Sequence, residues 1–113
     1  MPASRQDESK PLGGDETIFV SSDAEAEADA AFEHYWIKSP NAAFDFDVEL
    51  RGAYRSLQFR PLICPPYLHG TRRVILKRYP FSVVFRERLH DIQIIAVAHA
   101  KRRPGYWTKR IKS

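Results

Sequence analysis

The side chains that could do chemistry are concentrated between residues 70 and 107, and most of them are cations. Guanidinium and ammonium groups beside aromatic rings suit contacts with phosphate groups or with an acidic peptide. The same cations could equally form a solvated strand face, so both interpretations stay open at this point. The set that we predict to bind a partner consists of Arg72, Arg73, Lys77, Arg78, Arg102, Arg103, Tyr106 and Trp107.

Proton transfer is a second chemistry that this stretch could support. His99 ends an otherwise apolar strand face, where a hydrogen-bonded structural histidine is expected more often than a proton-transfer group. Tyr106 could serve as an acid, but Tyr106 and Trp107 are expected mainly as packing or contact residues. These side chains alone therefore make no strong case for catalysis.

Neither a metal site nor a cofactor site is predicted. His34, His69 and His90 lie in three separate segments without the spacing of metal ligands. Cys64 has no candidate base nearby in the sequence, so we do not expect it to be a nucleophile. As the single cysteine it cannot form an intramolecular disulfide, which fits a reducing compartment.

Charge is divided unevenly along the chain. Residues 1–50 hold 3 Lys/Arg and 12 Asp/Glu, whereas residues 51–113 hold 15 and 2, for a net charge of +4. A strongly basic half raises the expectation of nucleic acid or an acidic protein segment as a partner. The alternative is a solvated basic face balanced by an acidic helix within the same fold.

The compartment is predicted from what the sequence lacks. The first residues have no apolar core of a signal peptide, and no apolar run approaches the roughly 20 residues of a membrane span. We therefore expect a cytoplasmic protein that does not bind membranes.

The acidic half predicts a tail, a strand and two helices within one domain, residues 17–113. Residues 1–16 are polar with few apolar side chains, so a flexible tail is expected. Residues 17–20 are prone to form a strand, and Ser22 with Glu25 has capping-box spacing for a first helix. Ser39-Pro40 is typical of a second helix start. Apolar side chains recur at helical spacing in both segments: Ala24, Ala28, Ala31, Phe32, Tyr35 and Trp36, then Ala43, Phe46, Leu50, Ala53, Tyr54 and Leu57.

The basic half predicts three strands after a proline-rich linker, residues 59–70. Alternation favours strands at residues 72–79 and 81–86, with a polar turn at residues 87–91. The last strand, residues 92–98, is apolar on both faces and is therefore expected in the sheet interior. The prediction is an α+β domain in which a two-helix antiparallel hairpin packs on a four-stranded, mainly antiparallel sheet, with topology β-α-α-β-β-β and strand order 2-3-4-1.

Five short pieces in this order resemble the RelE/ParE superfamily of type II toxins, over roughly residues 17–110. They are SPNAA at 39–43, GTRR at 70–73, KRYPFSVVFR at 77–86, IAVAH at 95–99 and RRPGYW at 102–107. The resemblance implies a small bacterial toxin of a toxin–antitoxin operon that an antitoxin holds inactive. RelE-like members cleave messenger RNA on the ribosome, whereas ParE-like members poison DNA gyrase.

Two neutral residues favour the ParE-like branch. RNA cleavage by the 2′-hydroxyl needs a proton acceptor, an acid and cations around the phosphate. RelE-like ribonucleases place lysines and arginines on inward positions of the second and third strands, where this sequence has Ile75 and Ser82. The first alternative is a RelE-like endoribonuclease that uses Arg73, His99, Arg102 and Tyr106, and the second is an inactive homologue that only binds its antitoxin.

The resemblance also predicts the partners. A ParD-like antitoxin would form a hetero-oligomer with this chain through an acidic or amphipathic C-terminal segment that folds on binding. Gyrase is the expected target, and operator DNA would be reached only through the antitoxin. Removal of residues 102–113 is expected to weaken toxicity more than folding.

Overall fold

Six regular elements make up the computed structural model, which describes residues 17–59 and 61–111. The predicted tail, residues 1–16, lies outside these described residues. The elements are β1 (Thr17–Val20), α1 (Ser22–Lys38), α2 (Pro40–Phe59), β2 (Arg72–Ile75), β3 (Phe81–Glu87) and β4 (Asp91–His99), joined by short 3-10 turns at Pro61–Ile63, Leu68–Gly70 and Thr108–Ile111. None of the helices in these ranges is long and apolar enough to cross a membrane.

The four strands form one mixed sheet in the order β1-β4-β3-β2, which confirms the predicted order and the α+β class. β1 is parallel to β4, and the other two pairs are antiparallel. The central position of β4 explains its two apolar faces, because one face packs on the helices and the other is covered by the C-terminal segment. The turn between β3 and β4 is shorter than predicted, since Glu87 and Asp91 belong to the strands.

Serine residues begin both helices, but the first cap lies one residue before the predicted one. Ser21 has an extended backbone and its hydroxyl accepts a hydrogen bond from the amide of Ala24 (3.1 Å). The predicted capping box of Ser22 and Glu25 is therefore wrong, because Ser22 is already helical. The hydroxyl of Ser39 accepts from Ala42 (3.3 Å) and Pro40 is the first residue of α2, as predicted.

The main core lies between the helices and one face of the sheet. Its members are small where α1 begins and aromatic where the two helices meet, with Tyr35 packed edge-on to Tyr79 and tilted against Phe46. Tyr35 occupies the core position at this end of α1, so Trp36 turns outward and is 46% exposed. The apolar stripe predicted along α1 therefore extends beyond the core at Trp36.

β2 ends at Ile75, four residues earlier than predicted, because the chain bends at Lys77–Pro80. The carboxylate of Glu49 on α2 accepts hydrogen bonds from the backbone amides of Lys77 and Arg78. These amides therefore bond to a helix side chain and not to a neighbouring strand. The bend brings the connection between β2 and β3 against α2.

A second, smaller core covers the sheet face that points away from the helices. Trp107 is 1% exposed and packs with Val84, Ile95 and Ala96. A β-bulge helps to form this core, since Val84 lies opposite Ala96 and Phe85 opposite Ile94, which leaves Ile95 as an extra residue of β4. The segment from residue 100 to residue 111 is thus a packed part of the domain.

Candidate functional site

A cleft of about 70 Å³ opens on the sheet face away from the helices, at the end where β4 finishes. We call it the cationic cleft and define it by Arg73, His99, Arg102 and Arg103. Ser82 and two tyrosines complete its wall, and of the described residues that line it none is acidic. An uncompensated group of cations in a concave site is suited to an anionic ligand.

Strand alternation and one turn place the three arginines and His99 together. Arg73 lies opposite Val84 and points away from the helices, because its neighbour Val74 packs against the main core. The chain reverses after His99, where the Arg102 amide donates to the His99 carbonyl (3.0 Å). Gly105 has a φ of 82°, which non-glycine residues rarely adopt, and it returns the chain to the sheet.

Two of the arginines lie over tyrosine rings. The guanidinium carbon of Arg73 is 4.1 Å from the ring centre of Tyr67, and that of Arg102 is 3.8 Å from the ring centre of Tyr106. Within residues 17–59 and 61–111, neither Arg73, Arg102 nor Arg103 has an ion pair. The arginines are therefore held in position by aromatic surfaces while their hydrogen-bond donors stay available.

Glu27 of α1 fixes the position of one of these tyrosines. Its carboxylate accepts hydrogen bonds from the Tyr106 hydroxyl (2.6 Å), the Val97 amide (3.0 Å) and two guanidinium nitrogens of Arg110 (both 3.0 Å). Burial raises the pKa of Tyr106, and the hydrogen bond to Glu27 raises it further. The hydroxyl is therefore protonated at neutral pH, and its proton is directed at Glu27.

Sequence reasoning missed Glu27 and Arg110. Glu27 is one of several acidic residues along α1, and Arg110 is 83 positions further along the chain. No local spacing connects them, because only the packing of the C-terminal segment across β4 brings them together. Arg110 also donates to the Ile95 carbonyl (3.1 Å). The Glu27–Arg110 pair therefore satisfies backbone polar groups of β4 past the point where β4 stops pairing with β1.

His99 is held by local contacts. Its Nδ1 atom accepts a hydrogen bond from the Lys101 amide (3.0 Å), which places the proton of a neutral ring on Nε2. The ring packs edge-on to Phe81 at 5.0 Å between centres. The Nδ1 atom of His99 is therefore engaged in a hydrogen bond within its own turn.

Ile75 and Ser82 are direct partners across β2 and β3, on the same side of the sheet as Arg73. The Ile75 side chain is 60% exposed. These two positions therefore present neutral side chains next to the cationic cleft.

The eight residues of the predicted binding set do not form one surface. Arg73, Arg102, Arg103 and Tyr106 meet at the cleft. Trp107 also lines the cleft but is only 1% exposed. The other three lie elsewhere: Arg72 donates to the Cys64 carbonyl (2.6 Å) and lies 3.8 Å from Glu87, Arg78 pairs with Asp45 (2.6 Å), and Lys77 lies in the bend against α2.

The position of Trp107 bears on two of the predictions. Its side chain belongs to the second core and is 1% exposed, so it reaches the surface only through the wall of the cleft. Removal of residues 102–113 would take Trp107 out of that core, and that this removal weakens toxicity more than folding stays a prediction. That the exposed members of the set bind a partner stays a prediction.

Metal-binding side chains do not cluster in the part of the chain that the structure describes, where no group of three His, Cys, Asp or Glu residues is close enough to hold an ion. Cys64 is buried, and burial raises the pKa of its thiol. A raised pKa lowers the thiolate fraction and with it the reactivity of this cysteine.

Comparison with known proteins shows the fold. The sequence matches no protein-family model and no curated protein. The structure is similar to a chain in a solved structure described as the chromosomal ParDE TA system from P. aeruginosa, with a TM-score of 0.69 and 24% sequence identity over 78% of this chain and 99% of that chain. The chain therefore has the ParE-like fold.

Proposed function

We propose that this protein is the toxin of a bacterial type II toxin–antitoxin system, that it is ParE-like, and that it inhibits DNA gyrase. The structural likeness to a chain of a ParDE TA system supports the first two parts of this proposal. The chemistry of the cationic cleft supports the third. The protein acts by binding and has no catalytic step of its own.

The neutral pair Ile75 and Ser82 is the observation that carries the choice of target. A ribonuclease that works through the 2′-hydroxyl needs cations around the phosphate and a group that accepts a proton. The pair adds no charge at the two positions beside Arg73. The Tyr106 hydroxyl donates to Glu27 and the Nδ1 atom of His99 accepts from the Lys101 amide, so both groups are already engaged in hydrogen bonds within the protein.

The antitoxin fits the cleft by charge. Arg73, Arg102 and Arg103 can each bind a carboxylate, and none of them has to break an ion pair within the described ranges to do so. A ParD-like antitoxin whose acidic or amphipathic C-terminal segment folds on binding would neutralise the protein in a cytoplasmic hetero-oligomer. Operator DNA would then be bound through the antitoxin.

Supercoiling of relaxed plasmid by purified gyrase tests the proposal. The protein should inhibit the reaction, and addition of the antitoxin encoded next to it should restore it. The variant Arg73→Ala/Arg102→Ala should bind the antitoxin more weakly. Arg55→Ala is the matched control, since Arg55 is an exposed arginine on α2 away from the cleft. Full supercoiling at a large excess of the protein would exclude gyrase as the target.

One observation favours a second candidate, a ribosome-dependent endoribonuclease. The structure gathers Arg73, His99, Arg102 and Tyr106 at one cleft, and these are the four residues that such an activity would use. Mapping of transcript ends after induction separates the two candidates, because cleavage that Tyr106→Phe abolishes would support the nuclease. Intact transcripts during growth arrest would exclude it, and induction without any growth defect would indicate an inactive homologue.

A further inference from the structure

Three aromatic side chains form a cluster on the outer surface of the helical layer, which we call the aromatic patch: Phe32, Trp36 and Phe44. Phe32 stacks on Trp36 at 6.1 Å between ring centres, and Phe44 meets both rings edge-on at 5.7 Å. Trp36 is 46% exposed and Phe44 is 54% exposed. A contiguous aromatic cluster of this kind marks an interaction site more often than a single exposed apolar residue does.

Phe32 and Trp36 of the patch also line a shallow, open groove on one face of α1. The groove has a volume of about 420 Å³ and is lined by Asp29, Phe32, Glu33 and Trp36. These positions follow the spacing of one helix face, so apolar and acidic side chains alternate along the groove. An amphipathic helix can lay its apolar face on exposed aromatic side chains of this kind.

The charge beside the groove is acidic, because two of the four residues that line it are Asp29 and Glu33. Asp29 and Glu33 take part in none of the hydrogen bonds or ion pairs found in the described ranges, so their carboxylates have no structural task there. A partner that buries the patch must approach these two carboxylates, and it is stabilised if it brings cations.

We infer that the aromatic patch is the docking surface for a cationic amphipathic helix of a partner protein, with apolar residues in the groove and Lys or Arg beside Asp29 and Glu33. This surface differs from the cationic cleft in both position and charge. The inference therefore goes beyond the proposed function and does not depend on which target the protein inhibits.

The acidic rim argues against other occupants. Two copies that joined through the patch by a twofold axis would bring Asp29 and Glu33 of one copy towards those of the other, which is repulsive. Nucleic acid and anionic membrane surfaces would be repelled in the same way. An acidic helix would be disfavoured by the same carboxylates.

A displayed library tests both the shape and the charge of the partner. The probes are 16-residue amphipathic helices with a fixed leucine face and flanking positions randomised among Lys, Glu and Gln. Selection on the wild-type protein should enrich Lys at the flanks, and selection on Asp29→Lys/Glu33→Lys should enrich Glu. The assay uses neither gyrase nor an antitoxin, so its result is independent of the supercoiling experiment.

A second measurement identifies the surface. The best selected peptide should bind Phe44→Ala about 30-fold more weakly, since truncation of a central aromatic contact has an effect of this size. Leu89→Ala is the matched control, because Leu89 is 88% exposed at the turn between β3 and β4 and should bind the peptide unchanged. A thermal melt verifies that both variants are folded.

Several results would overturn the inference. They are an acidic or neutral consensus on the wild-type protein, recovery of no binder, and binding that Phe44→Ala leaves intact. A concentration-dependent dimer in sedimentation that Phe44→Ala abolishes would instead identify a second copy of this chain as the occupant.

Discussion

Replacement of Glu27 by alanine should destabilise the domain, although Glu27 lies on a helix surface far from the C-terminus in sequence. The variant removes the acceptor of four hydrogen bonds, from Val97, Tyr106 and twice from Arg110. It leaves the guanidinium of Arg110 beside the second core without its main partner. The expected result is a loss of stability together with loosening of the C-terminal segment.

The size of the effect follows from the burial of the pair. Removal of one partner from a buried ion pair costs about 3–5 kcal/mol. The side chains of Glu27 and Arg110 are 18% and 23% exposed, so solvent screens part of the interaction. We therefore expect a loss of about 2–3 kcal/mol in the free energy of unfolding. The melting temperature should fall by roughly 10–20 °C, since 1 kcal/mol corresponds to about 4–8 °C in a domain of this size.

Chemical denaturation followed by tryptophan fluorescence measures this loss. A Trp36→Phe background leaves Trp107 as the only emitter, so the signal reports on the second core. Glu27→Gln should lie between the wild type and Glu27→Ala, because it keeps the shape and one acceptor oxygen but not the charge. Glu25→Ala, at an exposed position of the same helix, is the control and should change stability by less than about 0.5 kcal/mol.

Two outcomes would refute the reasoning. Glu27→Ala could prove as stable as Glu25→Ala, in which case the ion pair contributes nothing measurable. Alternatively, stability could fall while the Trp107 emission and its quenching stay unchanged in the folded state, which would show that Glu27 does not hold the C-terminal segment in place.

Three further predictions follow from single contacts. Trp107→Ala should lower the free energy of unfolding, measured by denaturant titration, by about 3–5 kcal/mol, because it empties the second core. A loss below about 1 kcal/mol would show that Trp107 is not packed in that core. The hydrogen bond from Tyr79 lowers the pKa of Asp45, so this carboxylate contributes stability that is present above its unfolded pKa and is lost as the pH falls through its folded pKa. Asp45→Asn should therefore flatten the acid side of a plot of unfolding free energy against pH. An unchanged plot would refute this prediction. The affinity of the antitoxin for Arg73→Ala/Arg102→Ala should depend less on salt than its affinity for the wild type, as measured by calorimetry at several ionic strengths. If both affinities fell equally steeply with ionic strength, the acidic segment would bind outside the cationic cleft.

Local patterns were sufficient for most of the fold. The alternation in β3 and β4, the two apolar faces of β4 and the Ser39-Pro40 start of α2 each depend on neighbouring residues, and the structure confirms all three. The errors lie where a long-range contact overrides a local preference. β2 ends early because Glu49 captures the amides at Lys77 and Arg78, and no pattern near residue 77 contains that information.

In the candidate site, too, local patterns predict some residues and long-range contacts decide the others. The cations of the cleft could be named from residue type and strand period, and Arg73, Arg102, Arg103 and Tyr106 do meet in space. Residue type alone does not distinguish the role of Arg72 from that of Arg73, although the two side chains point to opposite faces of the sheet. Arg72 is engaged with Cys64 and Glu87, whereas Arg73 has no ion pair within residues 17–59 and 61–111.

The sequence by itself determined the order of the elements, the position of β4 inside the sheet and the split between an acidic helical half and a basic sheet half. These properties follow from periodicity and charge, which act between residues close together in the chain. Only the tertiary structure decided that Trp107 is a core residue, that Glu27 anchors Tyr106 and Arg110, and that Phe32, Trp36 and Phe44 form an exposed patch. Each of these depends on which surfaces meet after the chain has folded, and residues that lie up to 83 positions apart in the sequence carry no local sign of that meeting.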